Sequence, residues 1–307
     1  MRLRSLTAND WDALASLIHA SLSVWYRKHL NIERFGPDPS PLRTIPELYE
    51  ALDPGCCLVA EDEETGRLAA SVFYHPRETH WAIGIVNSHP DFGGRGVAKQ
   101  VMEAVIALAK KDGKPVRLVS SAMNLDSFSL YTRLGFVPRM TFQDLKFTVP
   151  AEGMPSSNGH RYTIRPALME DVPRLANVEF RLNGIRREKD YRHFVENRQK
   201  CWRLWLAERP DGSPAGFLAC VVHPHSQMIG PGVVDDETAA AALLHTVLDK
   251  EFRGRSVIGL VPVHCAELVQ QCYAWGARNV EMHLASVLGY APPMQGVTFP
   301  TFMPETG

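Results

Sequence analysis

The sequence predicts an α/β protein in which one mixed, twisted β-sheet flanked by helices is built twice. Three observations carry that expectation. A short strand ending in Arg, followed by an acidic residue at the start of an apolar-periodic helix, occurs as Leu3-Arg4-x5-Asp10-Trp11 and again as Ile164-Arg165-Pro166-x4-Asp171-Val172. Each is followed by β-type apolar runs that lead into helix-bearing crossovers. Between the two lies 151–160, whose Pro, Gly, Ser and Asn content reads as a linker. At 307 residues and 45% apolar content the chain is long enough for two cores. The expected organisation is therefore a first domain over 1–150, a linker over 151–160, a second domain over 161–290 and a Pro-rich tail over 291–307 that packs on the body.

In the first copy a helix follows through Leu14, Leu17 and Ile18. Residues 57–61 and 68–74 read as a hairpin around Glu63-Glu64-Thr65-Gly66, and 81–87 as a third strand. A glycine-rich turn then opens a helix that stops at Lys110-Lys111-Asp112-Gly113. Residues 116–121 form a strand, 127–134 a helix closed by Gly135, and 137–149 return as two strands. In the second copy a helix runs through Leu175 and Val178, and strands 204–208 and 216–222 flank Pro210-Asp211-Gly212-Ser213. A turn at Gly230-Pro231-Gly232, a helix over 238–252, a strand over 257–261 and a helix ending at Trp275-Gly276 complete it.

Composition removes several function classes. Lys plus Arg number 33 against 34 Asp plus Glu, so no global basic field recruits nucleic acid or an anionic membrane. The most apolar helix candidate, 97–109, is interrupted by Lys99, Gln100 and Glu103, which argues against a membrane span. Met1-Arg2-Leu3-Arg4-Ser5 leads into polar residues and not into a signal-type apolar segment. None of the six cysteines forms a C-x-x-C, and they read as buried free thiols of a reducing compartment. The expectation is a cytoplasmic protein, monomeric or homodimeric.

Chemistry concentrates between Asn87 and Phe136. The turn His89-Pro90-Asp91-Phe92-Gly93-Gly94-Arg95-Gly96-Val97-Ala98 has what a diphosphate needs: backbone N–H groups, no side-chain bulk and the positive end of a helix dipole. On its own such a turn is equally a tight strand-to-helix connection. A P-loop requires Gly-Lys-Ser/Thr where Gly96-Val97-Ala98 stands, and the dinucleotide spacing is unmet. Downstream come Asn124 and Ser127, then Leu130-Tyr131-Thr132-Arg133-Leu134-Gly135-Phe136. Read singly, Asn124 is a helix cap and Tyr131 a core aromatic.

Together these two segments resemble the GNAT superfamily of acyl-CoA-dependent N-acetyltransferases. Gly96 and Ala98 match its Gln/Arg-x-x-Gly-x-Gly/Ala pattern. Gly93 departs from the first position and removes one side-chain contact, while the backbone donors survive. The resemblance implies acetyl-CoA as donor, with Gly93, Gly94, Arg95, Gly96, Val97 and Ala98 at the diphosphate and Arg95 free to meet the ribose 3′-phosphate. It implies that the backbone of Val86, Asn87 and Ser88 runs along the pantetheine and holds the developing oxyanion. Asn124 and Ser127 then contact the cofactor arm, and Tyr131 acts as general acid. A phenol of pKa about 10 can protonate a thiolate whose acid has pKa about 8.5. The implied acceptor is a primary amine of a small molecule or peptide, attacking directly, with no metal. A non-catalytic acyl-CoA sensor or scaffold is the alternative.

The general base is not legible: His75, Glu78 and His80 qualify by position only, and His89 belongs to the turn. The acceptor region implied by the resemblance holds Ser23 to His29 and Ile32 to Pro37, where aromatics mix with Arg27 and Arg34. The second copy reads as degenerate. Pro231 removes an amide donor, and Asp235-Asp236-Glu237 would repel a diphosphate. It also has no counterpart of Asn124, and Cys272 takes the place of Tyr131. His223-Pro224-His225 lacks a third metal ligand and reads as a polar loop.

Overall fold

Strand β1 (Arg2–Ser5) leads through helix α1 (Trp11–Leu30) and helix α2 (Thr44–Leu52) into β2 (Cys57–Glu61), β3 (Leu68–Pro76) and β4 (Trp81–Ser88), with helix α3 (Val97–Lys111) after the glycine turn. These strands pair antiparallel in the order β1-β2-β3-β4 and belong to one compact unit, Met1–Pro76 with Trp81–Val116. The computed structural model describes residues 1–33, 35–155 and 161–302. Arg34 of the expected acceptor region, linker residues 156–160 and tail residues 303–307 lie outside the described residues. In this first unit Leu14, Leu17 and Ile18 of α1 pack on Cys57, Val59 and Phe73 of the sheet and on Tyr49 of α2. Along α3 the buried Val97, Val101, Met102, Val105 and Ala109 recur every three to four residues, the spacing of one helical face.

The second unit, Arg77–His80 with Arg117–Phe302, contains the rest of the chain's described residues. Its elements are β5 (Val116–Ser121), α4 (Leu125–Arg133), β6 (Val137–Thr148), β7 (Thr163–Pro166), α5 (Val172–Asn183), α6 (Glu188–Glu196), β8 (Trp202–Glu208), β9 (Pro214–His223), β10 (Ser226–Val234), α7 (Glu237–Glu251), β11 (Ser256–Pro262), α8 (Ala266–Ala274), β12 (Arg278–Leu288) and β13 (Val297–Phe299). The sheet runs β5-β12-β6-β11-β10-β9-β8-β7, with β13 also on β10. Strands β10 and β11 run parallel, whereas β6 with β11 and β12, β7 with β8, β8 with β9 and β9 with β10 run antiparallel, so the sheet is mixed. Helix α7 seats Leu243, Leu244, Val247 and Leu248 against Leu218, Ile229 and Val257. Each such side chain contributes about 1.5–3 kcal/mol of burial.

Two local expectations are corrected. Where two strands were expected over 137–149, one long strand, Val137–Thr148, forms, because β6 is paired along most of its length on both sides, to β11 and to β12. Gly230-Pro231-Gly232 is no turn but the interior of β10, at a bulge opposite β9. The glycines serve close packing. A Cβ on Gly232 would lie 2.6 Å from Leu218 Cδ1, and one on Gly230 would lie 2.5 Å from Pro300 O. The compact units are also drawn differently from the sequence halves 1–150 and 161–290. Strand β6, from the first half, lies between β11 and β12 of the second and travels with them.

The duplication is visible atom by atom. In the first copy Arg4 places Nη1 and Nη2 each 2.8 Å from the two oxygens of Asp10, and its Nε 2.6 Å from Glu61 Oε2. In the second, Arg165 reaches Asp171 at 2.7 and 2.9 Å and Glu208 Oε2 at 2.9 Å. The strand registers correspond as well: Arg2 stands opposite Glu61 as Thr163 does opposite Glu208. Both guanidiniums fork onto one carboxylate and reach a second, so each ties its opening strand to the next helix and the neighbouring strand.

Candidate functional site

The glycine turn lies in the first unit and is exposed from Gly93 to Gly96, with Val97 buried behind it. A one-turn helix over Pro90–Phe92 precedes it, its Asp91 N–H bonded to His89 Nδ1. Gly94 and Gly96 take φ of +74° and +70°, left-handed values that a side chain strains. A Cβ on either would meet nothing within 4 Å, so backbone conformation and an open approach require glycine there, not crowding. Gly96 is the N-cap of α3 and supplies no side-chain acceptor, and no acid occupies the helix's first turn. The first N–H groups of α3 therefore point outward uncapped, at the positive end of its dipole. Arg95 lies over the Phe92 ring at 5.1 Å and is exposed, and Arg67 pairs with Asp91 at 2.7 Å. This is a ready anion cradle, and it fits a diphosphate.

Upstream, β4 bulges. Val86 stands opposite Val72 while Ile83 stands opposite Tyr74, so β4 spends one residue more than β3 over that interval. Asn87 and Ser71 face each other across the strands, 2% and 0% exposed. The Asn87 carboxamide and the Ser71 hydroxyl have no hydrogen-bond partner among the described residues. Buried polar atoms are paired in nearly all native proteins, so this pair marks a point built to meet a ligand or water. Sequence reading selected Val86, Asn87 and Ser88 for their backbone and missed Ser71, a small residue inside an apolar strand. The one available signal was its register opposite Asn87.

The amide and the phenol lie in the second unit. Asn124 caps α4: its Oδ1 accepts the Ser127 N–H at 3.0 Å. Tyr131 is 9% exposed, with the Phe136 ring edge-on at 6.1 Å. Burial pushes its phenol up to about 12, with a hydrogen bond to Ser127 pulling the other way. It is thus a protonated donor throughout the physiological range. Gly135 closes the helix at φ +93°, and a Cβ there would lie 3.1 Å from Leu288 Cδ1.

The base candidates divide. His75, 1% exposed, binds Asp53 Oδ2 through Nδ1 at 2.6 Å within the first unit, a buried imidazole–carboxylate pair. In the second unit His80 is also 1% exposed and contacts Thr79, while Glu78 accepts the Glu188 N–H at 2.9 Å. On the first unit a cleft of about 410 Å³ is lined by His19, Ser23, Arg27, Glu33, Phe35, Gly36 and Pro37, with Arg27 Nε 2.9 Å from Glu33 Oε1.

Acids occupy the second copy's counterpart of the glycine turn. Asp236 caps α7, accepting the Ala239 N–H at 2.8 Å, and Asp235 pairs with Arg181 and Arg209. Glu237 accepts the Leu268 N–H at 2.7 Å. Cys272, at the place of Tyr131, is wholly buried. All six cysteines are free thiols, and no helix among the described residues is long and apolar enough to cross a membrane.

Residues 21–136 match the model of the acetyltransferase (GNAT) family. No curated protein matches the sequence. Among solved structures, an acetyltransferase candidate from Pyrococcus horikoshii shares 15% identity at a TM-score of 0.70, over 96% of this chain and 90% of that one. A GCN5-related N-acetyltransferase from Sphaerobacter thermophilus shares 16% at 0.67, over 96% and 97%. A tandem GNAT protein from the clavulanic acid biosynthesis pathway shares 14% at 0.60, over 94% and 98%. At these identities the likeness is one of fold, and it extends over both copies.

Proposed function

We propose that this chain is a tandem-domain member of the GNAT superfamily and an acetyl-CoA-dependent N-acetyltransferase whose catalytic copy is 1–150. In this reading 161–290 is a degenerate copy, 151–160 the linker and 291–307 a packing tail. The observation that carries it is the glycine turn: two left-handed glycines, open space above them and an uncapped helix N-terminus.

Gly93 to Ala98 hold the diphosphate of acetyl-CoA through backbone N–H groups, and Arg95 meets the ribose 3′-phosphate. The bulged end of β4 runs along the pantetheine, and an N–H at Val86 or Asn87 polarises the thioester carbonyl. Asn124 and Ser127 steady the arm. A primary amine of a small molecule or peptide attacks the carbonyl carbon and the C–S bond breaks. The amine's lost proton leaves through water or a base, and Tyr131 protonates the departing thiolate. The cleft beside α1, with Arg27 and Glu33 on its wall, receives the acceptor. A cytoplasmic setting accords with the free thiols.

Calorimetric titration with acetyl-CoA tests the binding half of this reading, and an amine panel with thiol detection tests turnover. Binding without turnover on any amine would favour the acyl-CoA sensor. Absence of binding would overturn both.

A further inference from the structure

We propose that Asp144, Glu281 and His283 form a binding site for a divalent transition-metal ion, with Zn²⁺ the best-suited occupant. The sheet creates it. Strands β6 and β12 pair antiparallel with Glu281 opposite Asp144, and His283 follows two residues on, so the pleat turns all three to one face. One ligand atom from each lies within 4.8 Å of the others. His283 Nδ1 is 2.8 Å from Asp144 Oδ1. In a zinc site with bonds of about 2.0–2.2 Å, neighbouring donors stand about 3–3.5 Å apart, so closing the cluster takes a side-chain adjustment of at most about 1.5 Å.

Charge balance points the same way. The three residues are 3%, 9% and 7% exposed, yet among the described residues neither carboxylate meets a Lys or Arg. One Glu281 carboxylate oxygen is turned into the cluster. Elsewhere in this unit buried acids are neutralised: Glu179 by Arg187 at 2.9 Å and Asp190 by Arg77 at 2.7 Å. A dication offsets the Asp144 and Glu281 carboxylates together. The surroundings are apolar, with Phe302 4.3 Å from the His283 ring and Phe142, Leu260 and Ala285 clustered nearby. One imidazole with two carboxylates suits Zn²⁺ better than Ca²⁺ or Mg²⁺, which prefer all-oxygen shells. Because β12 comes late in the chain and β6 early, the ion staples two strands distant in sequence and takes no part in acetyl transfer.

The test is calorimetric titration of chelator-treated, full-length protein with ZnCl₂, with the thermal midpoint read alongside. The expected result is one Zn²⁺ per chain and a raised Tm. Glu281→Gln and His283→Gln should each weaken binding by at least about tenfold, since loss of a mere outer-shell partner already costs about 10–100-fold. Each should also lose the Zn²⁺-dependent rise in Tm, with acetyl-CoA binding retained as the check on folding. His225→Gln, which removes half of an exposed His pair, should bind as the wild type does. No binding by the wild type overturns the proposal. So does undiminished binding in both ligand variants, or loss of binding in His225→Gln alone.

Discussion

The two copies begin their crossover helices in opposite ways. Helix α3 starts at Gly96, which has no side chain to cap it and no acid in the first turn. Helix α7 starts at Asp236, whose carboxylate satisfies the Ala239 N–H, between Asp235 in ion pairs and Glu237 on the Leu268 N–H. A glycine N-cap gives up only about a few tenths of a kcal/mol against a capping carboxylate, a small standing cost that α7 avoids and α3 accepts. The clamp that opens each copy is the same, Arg4 with Asp10 and Glu61 or Arg165 with Asp171 and Glu208. Scaffold chemistry was therefore kept in both copies while terminus chemistry diverged. A helix N-terminus left uncapped and exposed is one whose donors can serve a ligand; a self-capped one serves the fold.

The largest expected effect is on turnover. Tyr131→Phe should lower kcat by roughly 10²–10⁴-fold with the Kd for acetyl-CoA nearly unchanged, read by steady-state kinetics beside calorimetry. Full activity in that variant would remove the phenol from the chemistry. Next comes Gly96→Glu, which forces a side chain into φ +70° and adds a negative charge at the anion cradle. Strain and repulsion of about 3 kcal/mol together raise the Kd roughly 100-fold. An unchanged Kd would mean that the cofactor does not use this turn. The same titration sharpens the comparison: the wild type should bind one acetyl-CoA per chain, and two would show that the acids of α7 do not exclude it.

The pH profile of kcat separates a buried phenol from an ordinary one. Burial raises the Tyr131 pKa to about 12, so its protonated form persists and the rate should not fall between pH 9 and 10.5. A descending limb near pH 10 that vanishes in Tyr131→Phe would contradict that placement. The smallest effect belongs to the clamp. Asp171→Asn should cost about 1–2 kcal/mol, a fall in Tm of about 2–8 °C, because Asp171 is buried while Arg165 is partly exposed and keeps Glu208. Arg165 holds the Asp171 carboxyl down at about 2. Its stabilisation is therefore present above the ordinary carboxylate range and is lost as pH falls from about 4 towards 2, so wild type and variant should converge in acid. A difference that persisted at pH 2 would assign the effect to packing.

Much of the site was legible because it depends on local rules. Gly94 and Gly96 had to be glycine for their left-handed backbone, and Gly135 for its helix cap. Asn124 suits a helix start, and the strands 57–61 and 116–121 were bounded where the apolar runs end. What escaped depends on partners. Ser71 matters only because β3 sets it opposite Asn87, and His75 only because α2 ends with Asp53 against it. Gly230 and Gly232 looked like turn residues, since composition cannot distinguish a bend from a strand that must lie close to its neighbours.

The sequence by itself determined the duplication, the α/β class, the glycine start of α3 and the acidic start of α7. Each is written in residues a few positions apart, where dihedral preference, capping and charge act directly. Only the tertiary structure decided that β6 lies between β11 and β12, and that Asp144 meets His283 across 139 positions. Backbone hydrogen bonds accept any strand that fits, so which strands pair is settled by burial over the whole sheet and not by any local motif.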